Sequence, residues 1–263
     1  MTTSPQHAAG PPVWSVVWIT GASSGIGKAL ALELARQGST VAASARTASG
    51  LRALCDEALG LPGRIMAFPV NVVDDHAMRA TCERIESELG PIDLAVLNAG
   101  TYLRNDKGAV SADLFRVQME VNVMGVVNGL EPLLEAFARR ASGHIAVVAS
   151  LSGYRGLPRA SAYGATKAAL INLCEALKIE LYGTGVAISL INPGFVETPL
   201  TDKNDFPMPF LMPVDKAVDA IMTGLRKRRF EIAFPKRLAI ILKIARCLPY
   251  ALYFRLVRRA TGT

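Results

Sequence analysis

Between residue 13 and about residue 235, short apolar runs alternate with longer stretches of helical period, and this alternation limits the fold more than any other feature. The runs fall at Val13–Thr20, Thr40–Ala45, Arg64–Pro69, Asp93–Leu97, His144–Ala149, Val186–Ile191 and Phe230–Ala233. A strand with one wet face alternates polar with apolar residues. Most of these runs are continuously apolar, so both of their faces are expected to be covered. Helical patterns lie between them, at about Gly27–Gln37, Ser49–Ala58, Asp74–Leu89, Ser111–Arg140, Ser161–Tyr182 and Val214–Lys227.

Strand and helix in strict turn imply crossover connections, and right-handed crossovers place helices on both faces of a parallel sheet. The expected fold class is α/β, a single Rossmann-like doubly wound parallel sheet of about seven strands. It occupies residues 13–235, after a flexible lead-in at 1–12 and before a basic amphipathic helical extension at 236–263. Ligands of such sheets bind beyond the strand C-termini, where the strand order reverses. Chemistry is therefore to be sought in the loops that follow strands.

A hydrophobic fraction of 51% against 19% charged residues excludes a disordered chain. The lead-in has no basic segment followed by an apolar stretch, so it does not read as a signal peptide. The four cysteines, Cys55, Cys82, Cys174 and Cys247, form no C-x-x-C pair and have no histidine at ligand spacing. No metal site or disulfide framework is expected, and reduced thiols fit the cytoplasm. The net charge of +7 is uneven, because residues 226–263 hold eleven Lys/Arg and one acid, leaving −3 for residues 1–225. No nucleic-acid module accompanies that charge, so the tail is expected to suit an anionic membrane surface or an acidic partner rather than nucleic acid.

The first apolar run ends in Thr20-Gly21-Ala22-Ser23-Ser24-Gly25-Ile26-Gly27 and leads straight into a helix. Glycines allow a tight turn and let the backbone approach a pyrophosphate, while the amide groups opening a helix carry partial positive charge. Gly21, Ser23, Ser24, Gly25, Ile26 and Gly27 are accordingly assigned to a dinucleotide. At the end of the second run, a carboxylate would bind a ribose diol and repel a 2′-phosphate. Ala45 stands there, followed by Arg46, with Ser44 and Thr47 as further donors, so NADP(H) is favoured over NAD(H).

Tyr163 and Lys167 stand four apart at the start of a helix and share a face. A free phenol titrates at about 10, and a nearby ammonium favours the phenolate. Ser150 ends the fifth run thirteen residues upstream, where its hydroxyl can bond a substrate carbonyl that Tyr163 also serves. Ser152 is the rival hydroxyl.

Taken together, Thr20–Gly27, Asn98-Ala99-Gly100, Ser150 and Tyr163-x-x-x-Lys167 resemble the short-chain dehydrogenase/reductase family across most of residues 13–235. The resemblance implies a catalytic set of Ser150, Tyr163, Lys167 and Asn122, with Asn122 holding a water connected to the lysine. It also implies that Tyr163 and Lys167 touch the cofactor ribose and that Asn98, Ala99 and Gly100 shape the cofactor cleft. Pro193, Gly194, Val196 and Thr198 would border the nicotinamide, and Asn71 with Val72 would border the adenine. Two departures stand out: Asn71 replaces the family's usual aspartate, and Ser24 does not supply the basic residue frequent in that loop of NADP(H) members.

The resemblance assigns substrate selection to about Thr198–Met212, with contributions from Thr101–Val110 and Leu151–Arg159. Phe206, Met208, Phe210, Leu211 and Met212 make the first of these apolar, so the expected substrate is a small hydrophobic carbonyl or alcohol, lipid-, steroid- or acyl-like. The family implies a homo-dimer or homo-tetramer. Residues 236–260 are too charged to span a bilayer; they suit either peripheral contact with an anionic membrane, with Lys243, Arg246, Arg255, Arg258 and Arg259 reaching to the headgroups, or a helix pair packed on the body or across a dimer. The competing readings are an NAD-dependent alcohol dehydrogenase of the same family and a non-catalytic nucleotide-binding or membrane-associated scaffold.

Overall fold

In the computed structural model, residues 13–104, 110–202 and 208–261 are described. The lead-in at 1–12, Phe206 and part of the Thr101–Val110 segment lie outside the described residues. The strands are β1 (Val16–Thr20), β2 (Thr40–Ser44), β3 (Arg64–Ala67), β4 (Leu94–Leu97), β5 (Gly143–Val148), β6 (Val186–Pro193) and β7 (Glu231–Phe234). They form one seven-stranded sheet in the order β3-β2-β1-β4-β5-β6-β7, and every pairing is parallel. The chain starts in the middle, winds outward to β3, then returns to β4 and winds the other way. The order therefore reverses between β1 and β4.

The two-residue repeat of a strand divides its side chains between two cores. In β1, Val16 and Trp18 enter one core while Val17 and Ile19 enter the other. The first core is covered by α3 (Asp75–Leu89), α5 (Gly125–Arg140) and α6 (Ser161–Glu180), the second by α1 (Gly25–Arg36), α2 (Ala48–Glu57) and α7 (Val214–Arg226). This double cover is why the strands read as unbroken apolar runs. Small residues let α5 come close: a β-carbon on Gly125 would lie 2.6 Å from Val72 Cγ2, and one on Gly129 would lie 2.8 Å from Leu97 Cδ2.

The pattern at Ser111–Arg140 is not one helix. It divides into α4 (Ala112–Met119), a π-helical turn at Glu120–Met124 and α5. The wide turn brings Asn122 fully inside, where its amide is satisfied from both sides: Oδ1 accepts from Thr101 N at 2.7 Å and Nδ2 donates to Thr101 O at 2.9 Å. Beyond β7, the extension folds as α8 (Lys236–Cys247) and α9 (Tyr250–Thr261). Leu238 and Ala239 of α8 join the first core.

His144 in β5 is a buried titratable group with a defined proton. The Ser189 hydroxyl donates to Arg229 O at 2.6 Å, so in the 2.9 Å contact between His144 Nε2 and Ser189 Oγ the imidazole must be the donor. That leaves Nδ1 bare, and it has no partner among the described residues. Burial, with Arg228 and Lys178 adding like charge, pushes the imidazole down from 6.5 to about 4. An unfolded chain takes up this proton as the pH falls through about 6.5, whereas the folded chain resists until about 4. Stability should be undiminished above that window and fall by about 3 kcal/mol across it. Urea unfolding of wild type and His144→Gln at about pH 7 and about pH 4.5 checks this, with a shallower acid loss expected in the variant.

Candidate active site

The glycine loop is shaped from below by Thr20 and Asn98. Asn98 Nδ2 donates to Thr20 O at 3.0 Å and Gly21 O at 3.1 Å, and Thr20 Oγ1 accepts from Asn98 N and Ala99 N at 3.0 and 3.1 Å. Gly21 takes φ +66°, and a β-carbon there would lie 2.8 Å from Ala99 Cα, so positive φ and close approach both require glycine. Gly25 takes φ +54° at the start of α1, and its N-cap residue Ser24 makes no side-chain capping bond. The first amides of α1 are thus left to the cleft, at the place where the strand order reverses. Glycine backbone, uncapped amides and position together fit the pyrophosphate of a dinucleotide. Thr198 lies opposite, with Cγ2 3.3 Å from where a Gly25 β-carbon would be, and its Oγ1 is 3.3 Å from Thr201 Oγ1.

Ser150 leaves β5 with an extended backbone and caps the short 3-10 turn Leu151–Gly153. Its hydroxyl accepts from Ser152 N at 3.1 Å and donates to Pro193 O at 3.3 Å. Ser150 also acts on the Tyr163 phenol, favouring its ionised form. The Tyr163 ring is held edge-on by Tyr102, with centroids 5.1 Å apart. Lys167 Nζ donates to Val148 O at 2.9 Å and lies 5.6 Å from the Tyr163 ring centroid. Thr166 links this helix to the π turn: it donates to Tyr163 O at 2.7 Å and accepts from Asn122 Nδ2 at 3.1 Å. A β-carbon on Gly100 would meet Asn122 Oδ1 at 3.3 Å and Lys167 Nζ at 3.6 Å, so these three positions converge.

Electrostatics here differ from the expectation that Lys167 draws the phenol toward neutrality. Burial pushes Tyr163 up to about 12, Ser150 nearby pulls the other way, and Tyr102 adds a further rise. Burial also brings Lys167 down to about 8. The ammonium is engaged by the Val148 carbonyl, and the loss of water dominates at both groups.

Of the other predicted positions, Pro193 touches this centre and the rest lie away from Ser150. Pro193 ends β6 and meets Ser150, Gly194 N bonds Phe234 O at 2.7 Å, and Val196 is buried and bridged to Met212. Arg46 is exposed just after β2. Ser44 is not available beside it, being fully buried and accepting from Trp18 Nε1 at 2.9 Å. Asn71 is exposed beyond β3, while Val72 is turned to the α5 packing at Gly125. Thr20, Tyr102 and Thr166 were not singled out from sequence. Only Thr20 and Tyr102 carried a signal, their adjacency to the glycine loop and to Asn98-Ala99-Gly100.

A wound sheet that offers helix amides at its reversal point, with a serine, a half-buried tyrosine and a buried lysine gathered beside it, fits an NAD(P)-dependent oxidoreductase acting on CH–OH or C=O groups. The chain belongs to the short chain dehydrogenase family, whose model matches residues 15–207. It is similar to an uncharacterized oxidoreductase of Myxococcus xanthus, 38% identical over 241 residues that cover 92% of this chain and 95% of the relative. A 3-oxoacyl-(acyl-carrier-protein) reductase of Thermotoga maritima is 34% identical over 188 residues, covering 72% of this chain and 76% of that protein. Among solved structures, an alcohol dehydrogenase from the archaeon Thermococcus sibiricus, complexed with 5-hydroxy-NADP, superposes with a TM-score of 0.76. It is 27% identical, and the match covers 84% of this chain and 95% of that one.

Proposed function

We propose that this enzyme interconverts a ketone and a secondary alcohol on a hydrophobic, lipid-, steroid- or acyl-like substrate, using NADP(H) in preference to NAD(H). The observation that carries the reading is the gathering of Ser150, at the end of β5, with Tyr163, Lys167 and Asn122 around Gly100. When bound, the nicotinamide supplies the hydride for reduction and accepts it for oxidation. In the reducing direction Ser150 Oγ orients the carbonyl oxygen and Tyr163 Oη delivers the proton to it. The high phenol value suits a proton donor at neutral pH. Lys167 keeps positive charge behind the phenol, and Asn122 holds the water through which the proton is replaced.

Gly21, Ser23, Ser24, Gly25, Ile26 and Gly27 bind the pyrophosphate, with Thr198 closing over them. Asn98, Ala99 and Gly100 shape the cleft floor, Pro193, Gly194 and Val196 border the nicotinamide, and Asn71 and Val72 border the adenine. Arg46 takes the 2′-phosphate, for which no acid competes at Ala45. Met208, Phe210, Leu211 and Met212 supply the apolar substrate wall, and the named activity of the Thermotoga maritima relative agrees with an acyl-like carbonyl. The enzyme works in the cytoplasm, at the membrane surface, as a homo-dimer or homo-tetramer.

Oxidation of NADPH and NADH, measured over a panel of hydrophobic ketones, tests both substrate class and cofactor. Wild type should prefer NADPH, and Arg46→Glu should lower kcat/KM for NADPH by about 10- to 100-fold, the worth of a charge-assisted pair, while sparing NADH. Equal use of both cofactors by wild type would refute the role of Arg46.

A further inference from the structure

α8 is apolar on two opposite faces. Leu238 and Ala239 are buried in the core, and Leu242 packs beside them. Ile240, Ile241 and Ile244 form a second stripe on the far side, 57, 52 and 61% exposed. In α9, Tyr253 is buried, Leu252, Phe254 and Leu256 are exposed on either side of it, and Arg255, Arg258 and Arg259 occupy the far side. Residues 236–261 contain seven Lys/Arg and no Asp or Glu. Lys243 is withdrawn from this surface, being paired with Glu231, whereas Arg246, Arg255, Arg258 and Arg259 are exposed.

The pair is fastened to the loop that follows Ser150. Arg155 donates to the carbonyls of Ala245 and Arg246 and, at 2.8 Å, of Leu248 at the end of α8. Its guanidinium lies 4.0 Å from the Tyr253 ring centroid, and Tyr253 Oη donates to Gly156 O at 2.6 Å. A cavity of about 620 Å³ opens between Gly156, Leu157 and Pro158 and the Phe254, Val257 and Arg258 side of α9. Among the described residues no helix is long and apolar enough to cross a membrane. Exposed aliphatic and aromatic side chains set among arginines are what lies in a bilayer interface.

We propose that the outer face of α8 and α9 docks on an anionic lipid bilayer and holds the loop after Ser150 at the lipid surface, so that hydrophobic substrate enters the cleft from the bilayer. Charge complementarity selects this occupant. A second copy would set two cationic faces against each other, whereas phosphatidylglycerol or phosphatidylserine headgroups match the arginines. The proposal deepens the hydrophobic-substrate reading given above and rests on it.

Co-sedimentation of the full chain with vesicles tests the docking without any need for turnover. Wild type should pellet with phosphatidylcholine vesicles containing phosphatidylglycerol, pellet weakly with phosphatidylcholine alone, and release as salt rises. The variant Ile240→Ser/Ile241→Ser/Ile244→Ser changes only exposed positions and should lower the partition coefficient by about tenfold or more, as should Arg255→Glu/Arg258→Glu/Arg259→Glu. Circular dichroism checks that both variants fold. Failure of wild type to bind anionic vesicles, or wild-type binding by both variants, overturns the proposal. So does light scattering in which the isoleucine variant falls from oligomer to monomer, since the stripe would then be a subunit interface. NADPH turnover of a water-soluble ketone, run on the same samples, separates the two ideas: turnover without vesicle binding sinks the docking alone, and binding without turnover sinks the enzymatic reading on which substrate entry depends.

Discussion

Tyr163→Phe is expected to lower turnover by about 10²–10⁴-fold while leaving NADPH binding within about twofold of wild type. The substitution removes one oxygen and keeps the ring, so the edge-on contact with Tyr102 survives. What is lost is the one exchangeable proton of this side chain. The loss corresponds to about 3–5 kcal/mol of barrier at 1.36 kcal/mol per factor of ten. Folding should change little, because a buried hydroxyl contributes only about 1 kcal/mol net. Steady-state kinetics with NADPH fluorescence titration separates the two effects: kcat should fall and the NADPH Kd should not.

Gly21→Val is expected to act on fold and cofactor together. The residue holds φ +66°, where a β-branched side chain is strained, and its new β-carbon would press on Ala99 Cα at 2.8 Å and Asn98 Nδ2 at 2.9 Å. Strain and overpacking together should cost roughly 3 kcal/mol or more, and NADPH binding should be lost with the displaced loop. Gly60→Val is the control. It also sits at positive φ, +82°, but nothing lies within 4 Å of its added β-carbon. Urea unfolding should show the smaller loss for Gly60→Val, with NADPH titration unaffected.

What could be read in the chain beforehand was whatever a local pattern encodes. Trp18 between Val17 and Ile19 announces a strand covered on both faces, and a glycine-rich turn before Leu30-Ala31-Leu32 announces a strand-to-helix junction. Tyr163 and Lys167 are linked by helical period alone, and the structure does bring them to one face. Features that depend on a distant partner were not legible. The π turn at Asn122 is fixed by the Thr101 backbone and by Thr166, 44 residues away, and sequence period ran straight through it as one helix. Ser44 looked available for a 2′-phosphate until β1 placed Trp18 beside it. The same is true of Arg155, whose carbonyl partners lie some ninety residues on. Lys243 read as a lipid-facing cation because Glu231, its partner, belongs to a strand rather than to its own helix.

In the proposed reaction, hydride passes from a nicotinamide to a substrate carbonyl while Tyr163 supplies the proton. Single turnover with enzyme in excess tests it directly, using NADPH deuterated at the transferred position of C4 and a ketone from the panel. Deuterium is expected on the carbinol carbon of the product, with a primary isotope effect on the step and strong slowing of that step in Tyr163→Phe. Product alcohol without deuterium, or an equal single-turnover rate in the variant, would contradict it.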